Sequence, residues 1–174
     1  MGILPRNDGP VVPTINRINA NLEKLADGKT VRYLNINDRL AALDLTARTI
    51  SADRLRRAND MQSFLEDHPI LRQLFNAGII VHQLDGTVVA DSAPAAGRIV
   101  QNHSDAKAVT AALRHGQAGI SRPVLTHDAG APMFGMTVPI RDAQDIVIGA
   151  MTGMTSLGQP NFLDNLTSRR YGKT

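Results

Sequence analysis

The chain has 174 residues, 43% of them hydrophobic and only 3% aromatic, with a formal net charge of +3 and no cysteine. That length suits one domain, or one domain with an appended arm; the apolar content demands a packed core, and the shortage of aromatics makes that core aliphatic and methionine-filled. Disulfides, thiol nucleophiles and Cys-based zinc sites are excluded, no apolar run approaches the roughly 20 residues of a membrane span, and the N-terminus lacks a signal-peptide core, which predicts a chain that is soluble and cytoplasmic when expressed.

Pro5, Gly9, Pro10 and Pro13 break the first residues into turns. A helical pattern follows, with Ile15, Ile18, Leu22 and Leu25 at spacings of three and four, Thr14 as its N-cap and the glycine of "ADGK" as its stop. "TVRYLNI" then alternates like a strand. Together these segments predict a strand–helix–strand arm.

A longer helical stretch runs through "NDRLAALDLTARTISADRLRRANDMQSFLEDH", with Leu40, Leu43, Ala47 and Ile50 forming a narrow apolar seam. That seam either covers a sheet or meets its own copy, and a homodimer through helix 38–60 is expected from it. The cluster Arg54, Arg56 and Arg57 lies on this stretch without interleaved aromatics, so it is a solvated helix face and no nucleic-acid partner is expected. "ILRQLFNAG", after Pro69, is a short helix ending at Gly78.

The period then changes to two. "GIIVHQLDGTVVADS" predicts a β-hairpin turning at Asp85-Gly86. "SDAKAVTAALRHG" is a helix capped by Ser104 and stopped by Gly116. "GISRPVLTH", "APMFGMTVPI" and "DIVIGAMTGM" are strand candidates joined by turns at 128–130 and 142–144. The expected architecture is α+β, an antiparallel sheet over residues 78–155 with helices packed on it.

Two resemblances overlie this reading. The ordered series "FLEDHPILRQLFNAGIIVHQLDGTVVADSAPAAGR", "GISRPV", "PMFGMTVPIRD", "IVIGAMTGMTSLGQPNFLDNL" and "SRRYGKT" resembles the membrane-distal module of a double Cache (PAS-like) bacterial sensor domain, over residues 44–174. The family implies a small-molecule-binding module with a long N-terminal helix, taken from the periplasmic or extracellular part of a transmembrane signalling receptor, here without its output domain. Residues 1–43, "MGILPR" with "INRINANLEKLADGKTVRYLNINDRL", instead resemble a late strand–helix–strand portion of an SGNH (GDSL-type) hydrolase. The two together imply a fusion or chimera with its seam between Asn37 and Asp44. The hydrolase part has none of the blocks its chemistry needs: no Ser nucleophile block, no Gly and Asn oxyanion donors, no Asp-x-x-His pair and no G-x-S-x-G elbow.

The Cache resemblance implies Asp105, Ser121, Arg122, Phe134 and Met136 as ligand neighbours, with "GISRPVLTH" and "MFGMTVPI" as pocket floor. An Arg there suits an anionic ligand such as a carboxylate. The competing reading makes Phe134 and Met136 plain core and Arg122 solvated. The sequence also departs from the family: the helix "HSDAKAVTAAL" carries no aromatic residue, and the Tyr, Arg and Trp landmarks of the amino-acid-sensing version are missing, so an amino-acid ligand is not expected. The histidines form no i, i+4 pair and no H-E-x-x-H, and no cofactor is expected. The alternative places His82, His103 and His127 together through the sheet as ligands for Zn2+ or another divalent metal, giving a metal-dependent ester or phosphoester hydrolase. The missing serine blocks set one expectation about activity: treating the purified chain with a fluorophosphonate probe labels no serine stoichiometrically.

Overall fold

The computed structural model describes residues 35–93, 103–125 and 130–161, and of residues 103–106 the backbone. The arm expected over residues 1–43 therefore lies outside the described residues as far as residue 34. The helix expected from about Asn37 begins at Ile36. Asn35 is the N-cap of helix α1 (Ile36–Ala47): its Oδ1 accepts the Asp38 N–H at 2.9 Å, and Asp38 Oδ2 accepts the Asn35 N–H at 3.2 Å. This reciprocal capping box satisfies two helix-start donors that would otherwise need water. The boundary expected between residues 43 and 44 thus falls inside one continuous helix, whose Arg39, Ala42 and Leu43 are already buried.

The helix expected to run unbroken through 38–60 is three segments: α1, α2 (Ala52–Arg56) and α3 (Ala58–Glu66). The first break follows from side chains that compete for the backbone. Thr49 Oγ1 donates to the Thr46 carbonyl at 2.7 Å, and Ser51 Oγ accepts the Arg54 N–H at 3.2 Å, starting a new helix. The second break is Arg57, in extended conformation at φ −110, ψ 107. Pro69 then opens α4 (Pro69–Leu74), where its missing N–H costs nothing. The apolar seam is consumed inside the molecule: Leu43, Ala47 and Ile50 are all buried against the sheet. The apolar argument for a homodimer through 38–60 is thereby removed.

The arginine cluster is neutralised locally. Arg56 pairs with Asp53, Arg57 Nη1 lies 3.4 Å from Asp60, and the Arg54 guanidinium stands 5.2 Å over the Phe64 ring.

Strands β1 (Gly78–Gln83) and β2 (Val88–Asp91) form the expected hairpin. Gly86 adopts φ +88, the left-handed conformation that this turn requires, and Asp85 Oδ1 accepts the Thr87 N–H at 2.9 Å. Helix α5 (His103–His115) begins one residue before Ser104, which is therefore not its cap, and Gly116 at φ +61 ends it as expected. The stretch "GISRPVLTH" is a broken edge, β3 (Gly119–Ile120) and β4 (Val124–Leu125), because Pro123 between them has no N–H to donate. β5 (Pro132–Arg141) and β6 (Val147–Ser156) are ten residues each, and Asp142 Oδ1 organises their turn by accepting the Gln144 and Ile146 N–H groups.

All strand pairs are antiparallel, in the order β2-β1-β6-β5-β3, with β4 also on β5. One face carries Ile79, Val81, Met151, Phe134, Met136, Val138 and Ile140, packed against α1–α4. α1 is pinned to that layer by Arg39, 3% exposed, whose guanidinium donates to the Leu74 carbonyl at the end of α4. Burial lowers that guanidinium to about 10, with Asp38 pulling the other way. α5 covers the opposite face, over β5, β6 and β3. Among the described residues no helix is long and apolar enough to cross a membrane.

One position fixes how closely the helical layer approaches the sheet. A Cβ on Gly153 would lie 2.5 to 2.6 Å from ring carbons of Phe75, itself fully buried. Gly153→Ala should destabilise the fold by about 1–3 kcal/mol through overpacking. A lower urea midpoint with an unchanged slope would record it; an unchanged midpoint would contradict the packing.

Candidate functional site

Alternation divides the central strands cleanly. Residues 134, 136, 138 and 140 of β5 point to α1–α4, so 133, 135, 137 and 139 point to α5. The β6 register carries the same division to Ala150, Thr152 and Met154, and the β1 register carries it to Ile80 and His82. Both faces bury polar side chains: Thr155, opposite Phe134 on the α1–α4 side, is 2% exposed with its hydroxyl unpartnered, and the α5-covered face buries several more. Thr137 and Thr152, 1% and 2% exposed, are cross-strand partners whose hydroxyls hydrogen-bond at 2.8 Å. In that pair one hydroxyl donates and the other keeps a lone pair for a further donor. Next to them Ile80 and Met154 form a small apolar cluster with Ala77 and Met133.

His82 is a further buried polar group on this face, 4% exposed, and its Nδ1 has no hydrogen-bond partner. Asp91 sits on β2 opposite Ile80, on the same face. One Asp91 oxygen accepts the Ala93 N–H at 2.9 Å. Burial lowers the His82 pKa below its ordinary 6.5, and Asp91 opposes that with a smaller upward pull.

The residues expected to line a site do not converge. Ser121 lies on the α5 side, but its hydroxyl is engaged: Oγ accepts the Gly135 N–H at 2.7 Å while its own N–H donates to the Gly135 carbonyl at 2.8 Å. The serine side chain here stands in for a backbone carbonyl where the edge strand kinks. Phe134 and Met136 face the other way, into the α1–α4 core; as a correction, they are core and do not share a face with Ser121. Arg122 is exposed at the sheet edge. Asp105 falls in the first turn of α5, where only the backbone is described. Of the proposed metal ligands, His82 is placed as above, His103 opens α5 with its side chain outside the described residues, and His127 lies outside them altogether. Among the described residues no group of three His, Cys, Asp or Glu side chains could hold a metal ion. Thr137, Thr152 and Asp91 are the residues that sequence reasoning missed. The two threonines stand singly in "MTVPI" and "GAMTGM", and their shared face is readable only once the parity of the strands is known.

A separate cavity of about 310 Å3 lies at the turn end of the hairpin, lined by Ala52, Leu55, Arg56, Gln83, Leu84, Asp85 and Ile148. None of the expected site residues lines it.

The sequence matches no family model and no curated protein. Solved structures do share the fold. The ligand-binding domain of the Pseudomonas aeruginosa PAO1 amino acid chemoreceptor PctB, in complex with L-Arg, aligns with a TM-score of 0.54 at 19% identity, covering 82% of this chain and 59% of that one. The ligand-binding domain of the Pseudomonas fluorescens chemoreceptor CtaA aligns at 0.58 in its L-valine complex, with 18% identity over 87% of this chain and 67% of that one. Its L-leucine complex also aligns at 0.58, with 16% identity over 89% and 63%. The chain thus spans about three fifths of the length of the PctB domain. The fold is the α+β, PAS-like fold of Cache-type ligand-binding domains of chemoreceptors.

The depressed His82 pKa fixes the sign of a pH effect. Folded His82 stays neutral, while the unfolded chain takes up a proton near pH 6.5. Stability is therefore complete above pH 6.5 and falls as the pH drops below it, down to the folded-state pKa, with a slope of at most about 1.4 kcal/mol per pH unit for one proton. Urea titrations at successive pH values should show this loss in the wild type and a shallower dependence in His82→Gln.

Proposed function

We propose that this chain is a sensor module that binds a small molecule on the α5-covered face of its sheet, as the ligand-binding part of a signalling receptor working outside the cytoplasmic membrane. The observation that carries the reading is the buried polar group on that face: the Thr137–Thr152 hydroxyl pair with the unpartnered His82 Nδ1 nearby. A core built only for stability gains nothing from an orphaned buried nitrogen, which costs about 1–3 kcal/mol of desolvation. A ligand that satisfies such groups gains correspondingly in specificity.

The chemoreceptor domains of the same fold were solved with L-Arg, L-valine and L-leucine, which supports a ligand of amino-acid size. Their identities of 16–19% support no transfer of individual contacts. In this reading the ligand meets Thr137, Thr152 and the His82–Asp91 corner, with Asp105 and Arg122 at the margins of the site. An anionic group on the ligand would be met by Arg122. No observation favours the metal-dependent hydrolase.

A thermal-shift screen with amino acids, small carboxylates and small amines tests this. A ligand present at about 100 times its Kd should stabilise the fold by about 2.7 kcal/mol, and Thr152→Val should weaken its binding at least about tenfold, the equivalent of one lost hydrogen bond. Stabilisation by a compound whose affinity is the same in wild type, Thr137→Val and Thr152→Val would move the site elsewhere. No stabilisation by any compound would remove the reading.

A further inference from the structure

The cavity at the turn end of the hairpin is built by irregularities in three elements. In the β5–β6 ladder Ile140 faces Gly149 but Arg141 faces Val147, so Ile148 is an extra residue. In the β1–β2 ladder Val81 faces Ala90 and His82 faces Val88, so Val89 is extra. Insertions of this kind bend a strand and re-aim its side chains, and both Ile148 and Val89 pack against the apolar cluster on the α1–α4 side. The helical layer is interrupted at the same place. α2 is a five-residue helix set off by Ser51 and Arg57. It sends Leu55 down to the sheet, where a Cβ on Gly149 would lie 2.9 Å from the leucine's Cδ2. These segments meet around one space of about 310 Å3, a volume at the lower end of small-molecule pockets.

Its apolar lining is Ala52, Leu55, Ile148 and Leu84. Leu84 is 55% exposed; a leucine that far out of the core adds little to folding, and beside a cavity it extends the apolar surface open to a ligand. The polar lining is Arg56, Gln83 and Asp85. The Arg56 guanidinium is already answered by Asp53. Gln83 Nε2 donates to the Leu55 carbonyl at 3.5 Å, which leaves the amide oxygen as an acceptor without a donor among the described residues. Asp85 Oδ1 accepts the Thr87 N–H at 2.9 Å, and the hydrogen bonds from Thr87, the backbone one first, hold this carboxyl below its ordinary value. Among the described residues no Lys, Arg or His forms an ion pair with Asp85. The hydrogen-bonding capacity left over by Gln83 and Asp85 is therefore that of acceptors, and the unmatched charge of the lining is negative.

We propose that this cavity is a second ligand site, separate from the α5 face, and that it takes a small amine with an apolar body. The ammonium donates to the Asp85 carboxylate and the Gln83 amide oxygen, while the body lies against Leu55, Leu84 and Ile148. An ammonium has three donors and no acceptor, which suits a lining whose free groups accept. A carboxylate of the same shape meets Asp85 as a like charge and competes with Asp53 for Arg56. An alcohol of the same shape fills the apolar part and leaves the charge of Asp85 unanswered. The inference goes beyond the ligand reading of the α5 face and holds whether or not that face binds, because Thr137, Thr152 and His82 do not line this cavity.

The test titrates the full backbone-labelled chain at pH 7 with 2-phenylethylamine, 2-phenylethanol and 3-phenylpropanoate, followed by amide NMR. The amine should move the amides of residues 52–56, 83–86 and 148 along a single saturating curve and bind more tightly than the alcohol and the acid. Asp85→Asn removes the charge and keeps an Asn-Gly turn, so the variant folds. It should weaken the amine about three- to tenfold, the effect of a charge-assisted hydrogen bond at an exposed carboxylate, and leave the alcohol unchanged. Leu84→Ser, at an exposed position, should weaken the amine and the alcohol alike. Thr152→Val should alter neither, which separates this site from the one on the α5 face. Amides of the cavity that stay unmoved by the amine overturn the proposal. Equal affinity for amine and alcohol overturns the charge recognition, and tighter binding of the acid makes Arg56 the partner and overturns the ligand class. Amine binding that is lost in Thr152→Val and unchanged in Asp85→Asn places the amine on the α5 face and overturns the second site.

Discussion

The β5–β6 ladder is the constraint from which the rest of the structure follows. Nine residue pairs join two ten-residue strands, and eight consecutive residues of β5, Met133 to Ile140, are buried. A strand pair covered on both faces cannot be amphipathic, so helices must lie above and below it. α1 packs on β5 and β6 from one side and α5 packs on the same two strands from the other. Each side chain on these strands is thereby committed, by parity alone, to one of two environments.

Those environments differ in kind. Towards α1–α4 the strands present Met136, Val138, Ile140 and Met151, and Gly153 leaves room for the Phe75 ring. That face is close-packed, and its shape is fixed by contacts that tolerate little change in volume. Towards α5 the same strands present Met133, Thr137, Pro139, Ala150, Thr152 and Met154, a mixture of apolar and polar side chains.

Parity was also the limit of what the amino-acid sequence disclosed. The hairpin was legible because Asp85-Gly86 supplies a positive-φ residue where one is needed, and the end of α5 was legible because Gly116 does the same. The α+β class followed from the switch between helical and alternating periods. The candidate site was not legible, because "MFGMTVPI" is buried throughout and gives no amphipathic phase. Choosing Phe134 and Met136 selected one parity, and Thr137 lies on the other. The helix breaks were missed for a related reason. Ile50 keeps the seam spacing of three and four and is buried, yet it sits between helices, so hydrophobic period alone does not distinguish a continuous helix from a kinked one. The Ser51 cap was present in the sequence, but as a lone serine it was outweighed by the period. His82 could be named as a histidine, whereas its missing partner is a property of packing.

Three consecutive residues tie the two ends of the described fold together. The Leu74 carbonyl receives the Arg39 guanidinium from the first turn of α1. Phe75 fills the space over Gly153 in β6. Asn76 acts as a clamp on the end of that strand: its Oδ1 accepts the Ser156 N–H at 2.7 Å, and its Nδ2 donates to the Ser156 carbonyl at 3.1 Å. The junction between α4 and β1 therefore holds α1, the sheet centre and the end of β6 at once, by a charge-assisted bond, a ring in a glycine gap and a paired amide. None of these is a surface ion pair that salt would screen, since Arg39 and Phe75 are buried and the Asn76 bonds are partly so. β1, which leaves this junction, carries His82 toward its far end on the polar face.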